Sequence, residues 1–344
     1  MTIRIAIVHD SASVRAALRV ALEIDEDLVV VGEAGDGDGA LPLVIESRAD
    51  ILLMDVVMPR LDGYAATRRV MAEHPLPILL VSSVVNPRDV KVAFDAMRSG
   101  ALAIVETIPS PLDPTYRFRR GALAHLVRSL ASVRLEPKKL SFDDIPTPRP
   151  DAGARGRRVI GIAASTGGPG VVASLLRALR HDDLPPVLVV QHIAAGFADG
   201  FARWLGDTIE RPTALAEDGV LAQRGRVYVA RDDRHLELAP DGRLRVRRGE
   251  PVHRFRPSAT PLFHSLAAFG PQALGIVLTG MGADGADGAA ALREAKGKLL
   301  VQDEATSVVY GMPRAALERA GADAVMPPAA MPPWIGHWLR EDEA

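Results

Sequence analysis

The sequence contains no cysteine among its 344 residues. This absence excludes disulfide bonds, a thiol nucleophile and cysteine-ligated metal centres. It also fits a protein that works in a reducing compartment. The histidines form no HExxH pattern, so the sequence gives no support to a zinc hydrolase.

The chain also lacks a strong charge of either sign and any long apolar run. Its formal net charge is −2, which is unlike the basic excess of nucleic-acid-binding proteins. No stretch approaches the roughly 18 apolar residues that span a bilayer. The first residues, "MTIRIAIVHD", turn acidic after a strand-length stretch, so they do not resemble a secretory signal. We expect a cytoplasmic, monomeric protein that neither binds nucleic acid nor inserts into a membrane.

Short β-branched runs alternate with helix-length segments in both halves of the chain, and this alternation is typical of α/β domains with parallel sheets. The sequence predicts two doubly wound parallel-sheet domains, at 1–135 and 158–344. Between them, residues 136–157 are rich in proline and glycine and have no apolar period, which indicates a linker. In the second domain, "GRVYVA", "HLELA" and "RLRVRR" are predicted to be inserted antiparallel strands, with Asp241-Gly242 as the tight turn.

Acidic residues end two strands of the first half. Asp10 ends the first predicted strand and Asp55 ends the third, and the carboxyl ends of parallel strands meet at one edge of a sheet. Converging carboxylates suit Mg²⁺ and, through it, a phosphoryl group that Ser82 could bind after the next strand. Each residue taken alone is more simply interpreted as an ordinary cap or turn residue, but together, at successive strand ends, they favour a binding site.

The stretch "LLMDVVMPRLDG" gives the first 130 or so residues a clear resemblance to a response-regulator receiver domain, which is flavodoxin-like. The resemblance implies that Asp55 accepts a phosphoryl group from a sensor histidine kinase, that Ser82 is the switch hydroxyl, and that Asp10 and Asp55 bind Mg²⁺. Receivers usually carry a second acid where this chain has His9, and a lysine where it has Thr107. We therefore expect a partly degenerate phosphorylation pocket, with weakened metal binding and switching.

The second half opens on "GIAASTGGPG", a small-residue turn that could cradle a phosphate or present a nucleophile. Its glycines do not match the dinucleotide fingerprint, and Gly168 is followed by Pro169 where a P-loop needs lysine. What remains is Ser165 on a strand-to-helix turn, a position that exposes a hydroxyl at the carboxyl end of a parallel strand.

Two further polar residues belong to predicted strand ends of the second half: His192 after "PVLVVQ" and Asp284 in "LTGMGADGADG". A serine hydroxyl needs an imidazole to remove its proton, and the imidazole needs a carboxylate to fix its tautomer. Each residue has a simpler interpretation: Ser165 as a helix N-cap, His192 as a strand-end histidine, and Asp284 as a turn former.

The blocks "GIAASTGGPG", "QHIAAGFADGFARWL" and "LTGMGADGADG" resemble the signature blocks of the chemotaxis protein-glutamate methylesterases. The resemblance implies a nucleophile at Ser165, a general base at His192 and its orienting partner at Asp284. It assigns the oxyanion to the backbone amide of Met281, together with the amide of His192 or Thr166. The implied reaction is hydrolysis of glutamyl methyl esters on a methylated chemoreceptor without a metal or cofactor, and some members also deamidate receptor glutamines. The resemblance also implies that the receiver restrains the esterase.

Two competing hypotheses follow from the same sequence. The chain could be a response-regulator adaptor whose esterase half has become a scaffold, but all three positions of the predicted triad are present. It could be a generic small-ester hydrolase, but Ser165 is not within a GxSxG motif. The sequence favours the methylesterase.

Overall fold

The computed structural model describes residues 2–82, 87–133, 158–179 and 184–340, with the backbone alone for 87–90. The chain divides into two compact units, Met1–Lys139 and Leu140–Ala344. The predicted linker, 136–157, lies outside the described residues, so the proposed domain boundaries stay a prediction. Among the described residues, no helix is both long and apolar enough to cross a membrane.

The first unit is built around a parallel sheet of five strands: β1 Ile3–Val8, β2 Leu28–Ala34, β3 Ile51–Asp55, β4 Ile78–Ser82 and β5 Ala103–Glu106. The connecting helices are α1 Ala12–Leu22, α2 Ala40–Ser47, α3 Gly63–Glu73, α4 Pro87–Arg98 and α5 Tyr116–Ala131. The strand order is β2-β1-β3-β4-β5. The order reverses between β1 and β3, and this is the position at which doubly wound sheets bind ligands.

The second unit has a parallel sheet of seven strands: β6 Val159–Ala164, β7 Val187–Gln191, β8 Thr213–Leu215, β9 Val227–Val229, β12 Ala273–Val277, β13 Lys298–Gln302 and β14 Ala324–Met326. A separate antiparallel hairpin consists of β10 His235–Leu238 and β11 Leu244–Arg247. The helices are α6 Gly168–Ala178, α7 Ala198–Ile209, α8 Ala259–Leu266, α9 Ala286–Glu294, α10 Met312–Ala320 and α11 Met331–Trp338.

The predicted fold class is confirmed: both units are doubly wound parallel-sheet domains, and the second carries an inserted antiparallel hairpin. Two details of the insertion were wrong. Strand β9 pairs in parallel with β7 and β8 and belongs to the main sheet. The hairpin loop has three residues rather than two, because Ala239 and Arg243 flank Pro240-Asp241-Gly242 and the Ala239 amide donates to Arg243. Gly242 has φ 86°, the left-handed residue that such loops require.

Strands β6, β7 and β12 are buried along their whole length. Burial on both faces explains why they consist of continuous apolar runs rather than alternating patterns. The order β14-β13-β12-β6-β7-β9-β8 reverses at the junction of β12 and β6. The carboxyl ends of these central strands therefore form the crevice in which this architecture places its ligands.

Candidate active site and receiver pocket

Ser165 directly follows β6 and is half-buried. Its amide donates to the carbonyl of Thr279 at 3.0 Å, beyond the end of β12. Its carbonyl accepts the amide of Gly168 at 2.8 Å and the Gln191 side-chain amide at 2.8 Å. These bonds tie the Ser165 backbone to both neighbouring strands, so the position of the hydroxyl is set by the sheet.

The turn after Ser165 depends on Gly167, which has φ 76°. A side chain there would be strained, and its Cβ would lie 2.6 Å from Cγ2 of Val308. Gly167 is also the N-cap of α6, and no side chain caps that helix. The simpler interpretation of Ser165 as the N-cap of the following helix is therefore wrong.

His192 follows β7, the strand beside β6, and its amide donates to the Ala164 carbonyl at 2.9 Å. This bond brings His192 next to Ala164, the residue that precedes Ser165. The imidazole is 8% exposed and its Nε2 lies 2.8 Å from Oδ2 of Asp284. Its Nδ1 is buried and has no hydrogen-bond partner in the part of the chain that the structure describes.

Asp284 lies in the loop between β12 and α9 and is 1% exposed. Besides His192, its carboxylate accepts from the Ala259 amide at 2.7 Å, from the Ser258 hydroxyl, and from the Thr260 hydroxyl at 3.2 Å. These three donors form the start of α8, where the helix dipole favours a negative charge. Asp284 is thus not a simple turn former, because its side chain connects α8 to His192.

Burial alone would raise the pKa of Asp284, but the hydrogen bond and charge of His192 and the bonds from Ser258 and Ala259 outweigh burial and hold this pKa below its ordinary value. The carboxylate is therefore ionised at neutral pH. An ionised carboxylate can only accept, so Nε2 of His192 is the donor of this hydrogen bond, and in a neutral imidazole Nδ1 is then the acceptor nitrogen.

The predicted oxyanion residues lie at the ends of β6 and β12. Thr166 follows Ser165, is buried, and accepts the Thr279 hydroxyl at its carbonyl at 3.0 Å. Met281 follows Gly280, whose would-be Cβ would lie 2.7 Å from Cβ of Ser165. The missing side chain at Gly280 lets the loop after β12 approach the serine.

Sequence reasoning missed four residues of this site. Gln191 bonds the carbonyls of Ser165 and His192, and Ser258 bonds Asp284. Phe255 stacks on the His192 imidazole with ring centroids 4.0 Å apart and an interplanar angle of 6°. The fourth is Thr260, described above. A serine before the apolar helical pattern of 259–266 is a capping signal, but it does not reveal contact with a loop 26 residues later.

The model of the CheB methylesterase family matches residues 160–335, and the response-regulator receiver model matches 5–106. The chain belongs to the CheB methylesterase family. It is 43% identical to "Protein-glutamate methylesterase/protein-glutamine glutaminase 3" of Anaeromyxobacter dehalogenans, over 98% of this chain and 99% of that protein. It is 42% identical to a protein of the same description, numbered 4, from Myxococcus xanthus, over 90% of each.

Among solved structures, the CheB methylesterase catalytic domain of Thermotoga maritima aligns with a TM-score of 0.51 and 31% identity, covering 54% of this chain and 99% of that domain. Together with the family assignment, this likeness makes the chain a carboxylic ester hydrolase, a methylesterase with a response-regulator receiver domain.

The receiver of this CheB-family chain brings Asp10 and Asp55 together at the carboxyl ends of β1 and β3, as the strand order requires. His9 lies with them: its Nδ1 is 3.1 Å from Oδ1 of Asp10 and 3.7 Å from Oδ2 of Asp55. Burial raises the pKa of Asp55, and the nearby charge of Asp10 adds to this, against the opposing charge of His9 and the amides of residues 56 and 57.

The three side chains differ in their fit to Mg²⁺, the ion that the sequence predicts for this pocket. One atom from each of His9, Asp10 and Asp55 lies within 4.8 Å of the others. Mg²⁺ prefers oxygen ligands, which only the two aspartates supply. His9 Nδ1 already accepts the Ser11 amide at 3.1 Å. Asp10 and Asp55 therefore fit as ligands, and His9 does not replace the missing carboxylate.

Ser82 ends β4, beside β3, and is buried. Its carbonyl accepts the amide of Thr107, the residue at the predicted lysine position, at 3.2 Å. Residues 83–86 lie outside the described part of the chain. The structure thus brings Ser82 and Thr107 to the same sheet edge as Asp55, and the neutral Thr107 supplies no cation there.

Proposed function

We propose that this protein hydrolyses γ-glutamyl methyl esters on a chemoreceptor with Ser165 as nucleophile, His192 as general base and Asp284 as the residue that orients His192. The observation that carries the proposal is the state of His192. Its Nε2 is bonded to a buried carboxylate while its Nδ1 has no partner among the described residues. A buried imidazole with one nitrogen held and the other unsatisfied is suited to accept a proton.

The proposed reaction has two steps at the same atoms. The Ser165 hydroxyl attacks the ester carbonyl and its proton passes to Nδ1 of His192. Backbone amides of Met281 and Thr166 stabilise the tetrahedral oxyanion. Collapse expels methanol, which takes the proton from Nδ1 and leaves an acyl-enzyme. Water then attacks the acyl group with His192 again as base, so that a glutamate carboxylate is released and Ser165 is restored.

The same chemistry extends to receptor glutamines, since ammonia can leave from the tetrahedral intermediate in place of methanol. The names of the two relatives include protein-glutamine glutaminase, which supports this second substrate. The adaptor hypothesis is disfavoured, because a scaffold has no need of a buried carboxylate that holds Nε2 of His192 while Nδ1 stays without a partner among the described residues. We place this activity in the cytoplasm, on a receptor's signalling helices.

The test is methanol release from a methylated receptor by the full chain. Ser165→Ala should abolish turnover, with a loss on the order of 10⁶-fold when residues of a triad act as a unit. His192→Ala should be comparably severe. Because Ser165 lies at a strand end outside the core, the melting temperature of Ser165→Ala should match that of wild type. Wild-type activity in Ser165→Ala would refute the assignment of the nucleophile.

We further propose that a sensor histidine kinase is the phosphodonor of Asp55 and that the receiver responds weakly to it. Asp10 and Asp55 would hold the Mg²⁺, which neutralises phosphoryl charge when it is bound. Thr107 cannot make the charge-assisted contact of a lysine, and a phosphoryl group without differential contacts cannot shift a population of conformers.

The receiver proposal is tested by adding Mg²⁺ and a small phosphodonor, then measuring acyl-phosphate and methanol release beside Asp55→Asn. We expect slow, incomplete labelling and little gain in esterase activity. His9→Asp should increase Mg²⁺ affinity, measured by calorimetry, because it restores an oxygen ligand. Rapid stoichiometric labelling of wild type with a large Asp55-dependent gain would show that His9 and Thr107 are compatible with a working switch.

A further inference from the structure

One aromatic side chain contacts the imidazole of the proposed general base. The Phe255 ring lies parallel to the His192 imidazole, with centroids 4.0 Å apart and 6° between the planes. Stacking covers a face of the imidazole and not its edge, so the Phe255 ring does not block an in-plane hydrogen bond at the buried Nδ1. The Asp284 bond fixes Nε2 alone. The face contact restricts rotation of the ring out of its plane, which a hydrogen bond at one atom does not prevent.

The backbone that presents Phe255 is a tight two-residue turn. The Val252 amide donates to the Phe255 carbonyl at 3.1 Å, and the Phe255 amide donates to the Val252 carbonyl at 2.9 Å. The two residues that they enclose, His253 and Arg254, have φ 50° and 72°. This left-handed conformation favours glycine and asparagine and is unfavourable for histidine and arginine. Such strain persists only where the surroundings impose it, and it is concentrated at functional sites.

The residues that follow the turn are anchored to other parts of the domain. Arg256 donates to the Asp233 carboxylate at 2.6 Å and to the Gly249 carbonyl at 2.6 Å. Two residues further on, Ser258 donates to Asp284. We call residues 252–258 the positioning loop. It carries an aromatic ring to His192 and a hydroxyl to Asp284, and so contacts both members of the His192–Asp284 pair.

We propose that Phe255 is a positioning residue of the esterase reaction, whose ring holds the His192 imidazole in the orientation in which Nδ1 can take the Ser165 proton. The inference rests on the proposed function. Without the ring, His192 samples other orientations and only part of the population is competent. Since the ring acts on the base and not on the receptor, its loss should lower kcat and leave KM unchanged.

The test compares Phe255→Ala, Phe255→Leu and Phe255→Tyr in the full chain. One assay is methanol release from methylated receptor, with kcat and KM determined separately. A second uses a small fluorophosphonate: Ser165 Oγ forms a bond to phosphorus, fluoride leaves, and Nδ1 of His192 takes the serine proton. The second assay reports nucleophile activation without the receptor. Phe269→Leu is the control, since Phe269 packs against the core of the same domain outside the site.

We expect Phe255→Ala and Phe255→Leu to lower kcat and the labelling rate by about 10- to 100-fold, the scale of a small misplacement of a catalytic group. Phe255→Tyr keeps the stacked ring and should stay near wild type, as should Phe269→Leu.

In proton NMR of histidine-labelled protein, the ring current of Phe255 should shift the His192 carbon-bound protons. That shift should vanish in Phe255→Leu and remain in Phe255→Tyr.

Three results would overturn the inference: Phe255→Leu as active as wild type, a rise in KM at constant kcat, or a His192 ring-proton shift that is unchanged in Phe255→Leu. A rise in KM would make Phe255 a receptor contact instead. Ser165→Ala and His192→Ala in the same assays separate the two proposals. If those variants stay active, the proposed function fails. If they are inactive while Phe255→Leu equals wild type, only the role of Phe255 fails.

Discussion

At the scale of single residues, the proposed chemistry depends on two aspartates whose surroundings move their pKa values in opposite directions. Burial is the largest influence on each. The hydrogen bonds to Asp284 and the charge of His192 outweigh the effect of burial on its pKa, whereas the favourable contacts of Asp55 do not. The first is therefore suited to remain a fixed anion beside His192. In the second, burial disfavours the charged form and raises the pKa.

Asp284→Asn should lower kcat by about 10⁴-fold, by serine-protease precedent, because an amide partner no longer fixes the reactive tautomer of His192.

Ser258→Ala keeps the tautomer of His192 and removes one hydrogen bond to the buried charge of Asp284. We expect it to reduce the free energy of unfolding by about 1.5–3 kcal/mol, with a smaller loss of activity. Ester hydrolysis and denaturant melts measure both effects.

Ser265→Ala is the matched control for Ser258→Ala. Ser265 also lies on α8 and is hydrogen-bonded, to Leu238 and Leu262, but it does not contact Asp284. Its activity should equal that of wild type. Equal activity of Asp284→Asn and wild type would mean that the carboxylate does not orient the base.

Asp55→Asn should raise the melting temperature of the first domain at pH 7. Burial raises the pKa of Asp55 in the folded state above the ordinary value of 3.8. The stability that the protonated carboxyl contributes is therefore complete below pH 3.8 and is lost as the pH rises through the folded-state pKa. Asparagine removes the buried charge, so its advantage should shrink as the pH approaches 4. Thermal melts across this range check the sign, with the exposed Asp38→Asn as control. An advantage that grows on acidification contradicts the argument.

At the scale of secondary-structure elements, the site exists because three neighbouring strands end at the same edge. Strand β6 lies between β12 and β7. Ser165 follows β6, His192 follows β7, and the loop that contains Asp284 follows β12. The parallel pairing fixes the separation of the strand ends. Close approach then depends on small residues at the ends, above all on Gly280.

Gly280→Ala should reduce esterase activity by roughly 100-fold while the domain still folds. The new Cβ would lie 2.5 Å from Sδ of Met312, 2.7 Å from Cβ of Ser165 and 3.0 Å from the Ser165 amide nitrogen. A methionine side chain such as that of Met312 can change its rotamer, but Ser165 is held by the sheet, so relief of the clash displaces the proposed nucleophile. Methanol release and circular dichroism test this. Gly121→Ala, whose Cβ meets nothing within 4 Å, is the control. Full activity in Gly280→Ala would show that the strand ends tolerate displacement.

At the scale of the whole molecule, two units are joined in one chain, and each matches its own family model. The proline-rich segment 136–157 is polar, and the sequence predicts it to be a linker rather than a folded element. A regulatory domain joined to an enzyme in this way suggests that one unit controls the activity of the other.

Removal of the first domain should raise esterase activity, as the family resemblance implies. We expect residues 158–344 alone to exceed the full chain by about 5- to 150-fold, the usual range of allosteric coupling. Methanol release per mole of folded protein is the measurement, and Ser165→Ala in the shortened chain is the blank. Equal rates for the two proteins would argue against restraint by the receiver.

The sequence alone determined the alternation of strands and helices, because buried parallel strands require continuous apolar runs between polar connections. It also identified the strand-end residues Ser165, His192 and Asp284, since chemistry in such sheets occurs at the carboxyl ends. It placed β9 wrongly, because short apolar strands have the same local pattern in parallel and antiparallel pairs.

Only the tertiary structure decided which nitrogen of His192 faces Asp284, and that Phe255 and Ser258 contact this pair. These contacts join segments more than 20 residues apart in sequence, and neither periodicity nor capping signals encode them. His9 follows the same rule: the sequence showed an imidazole where an acid is usual, and the fold showed it 3.7 Å from Asp55. Local sequence determines elements, whereas the contacts between their ends depend on packing of the whole sheet.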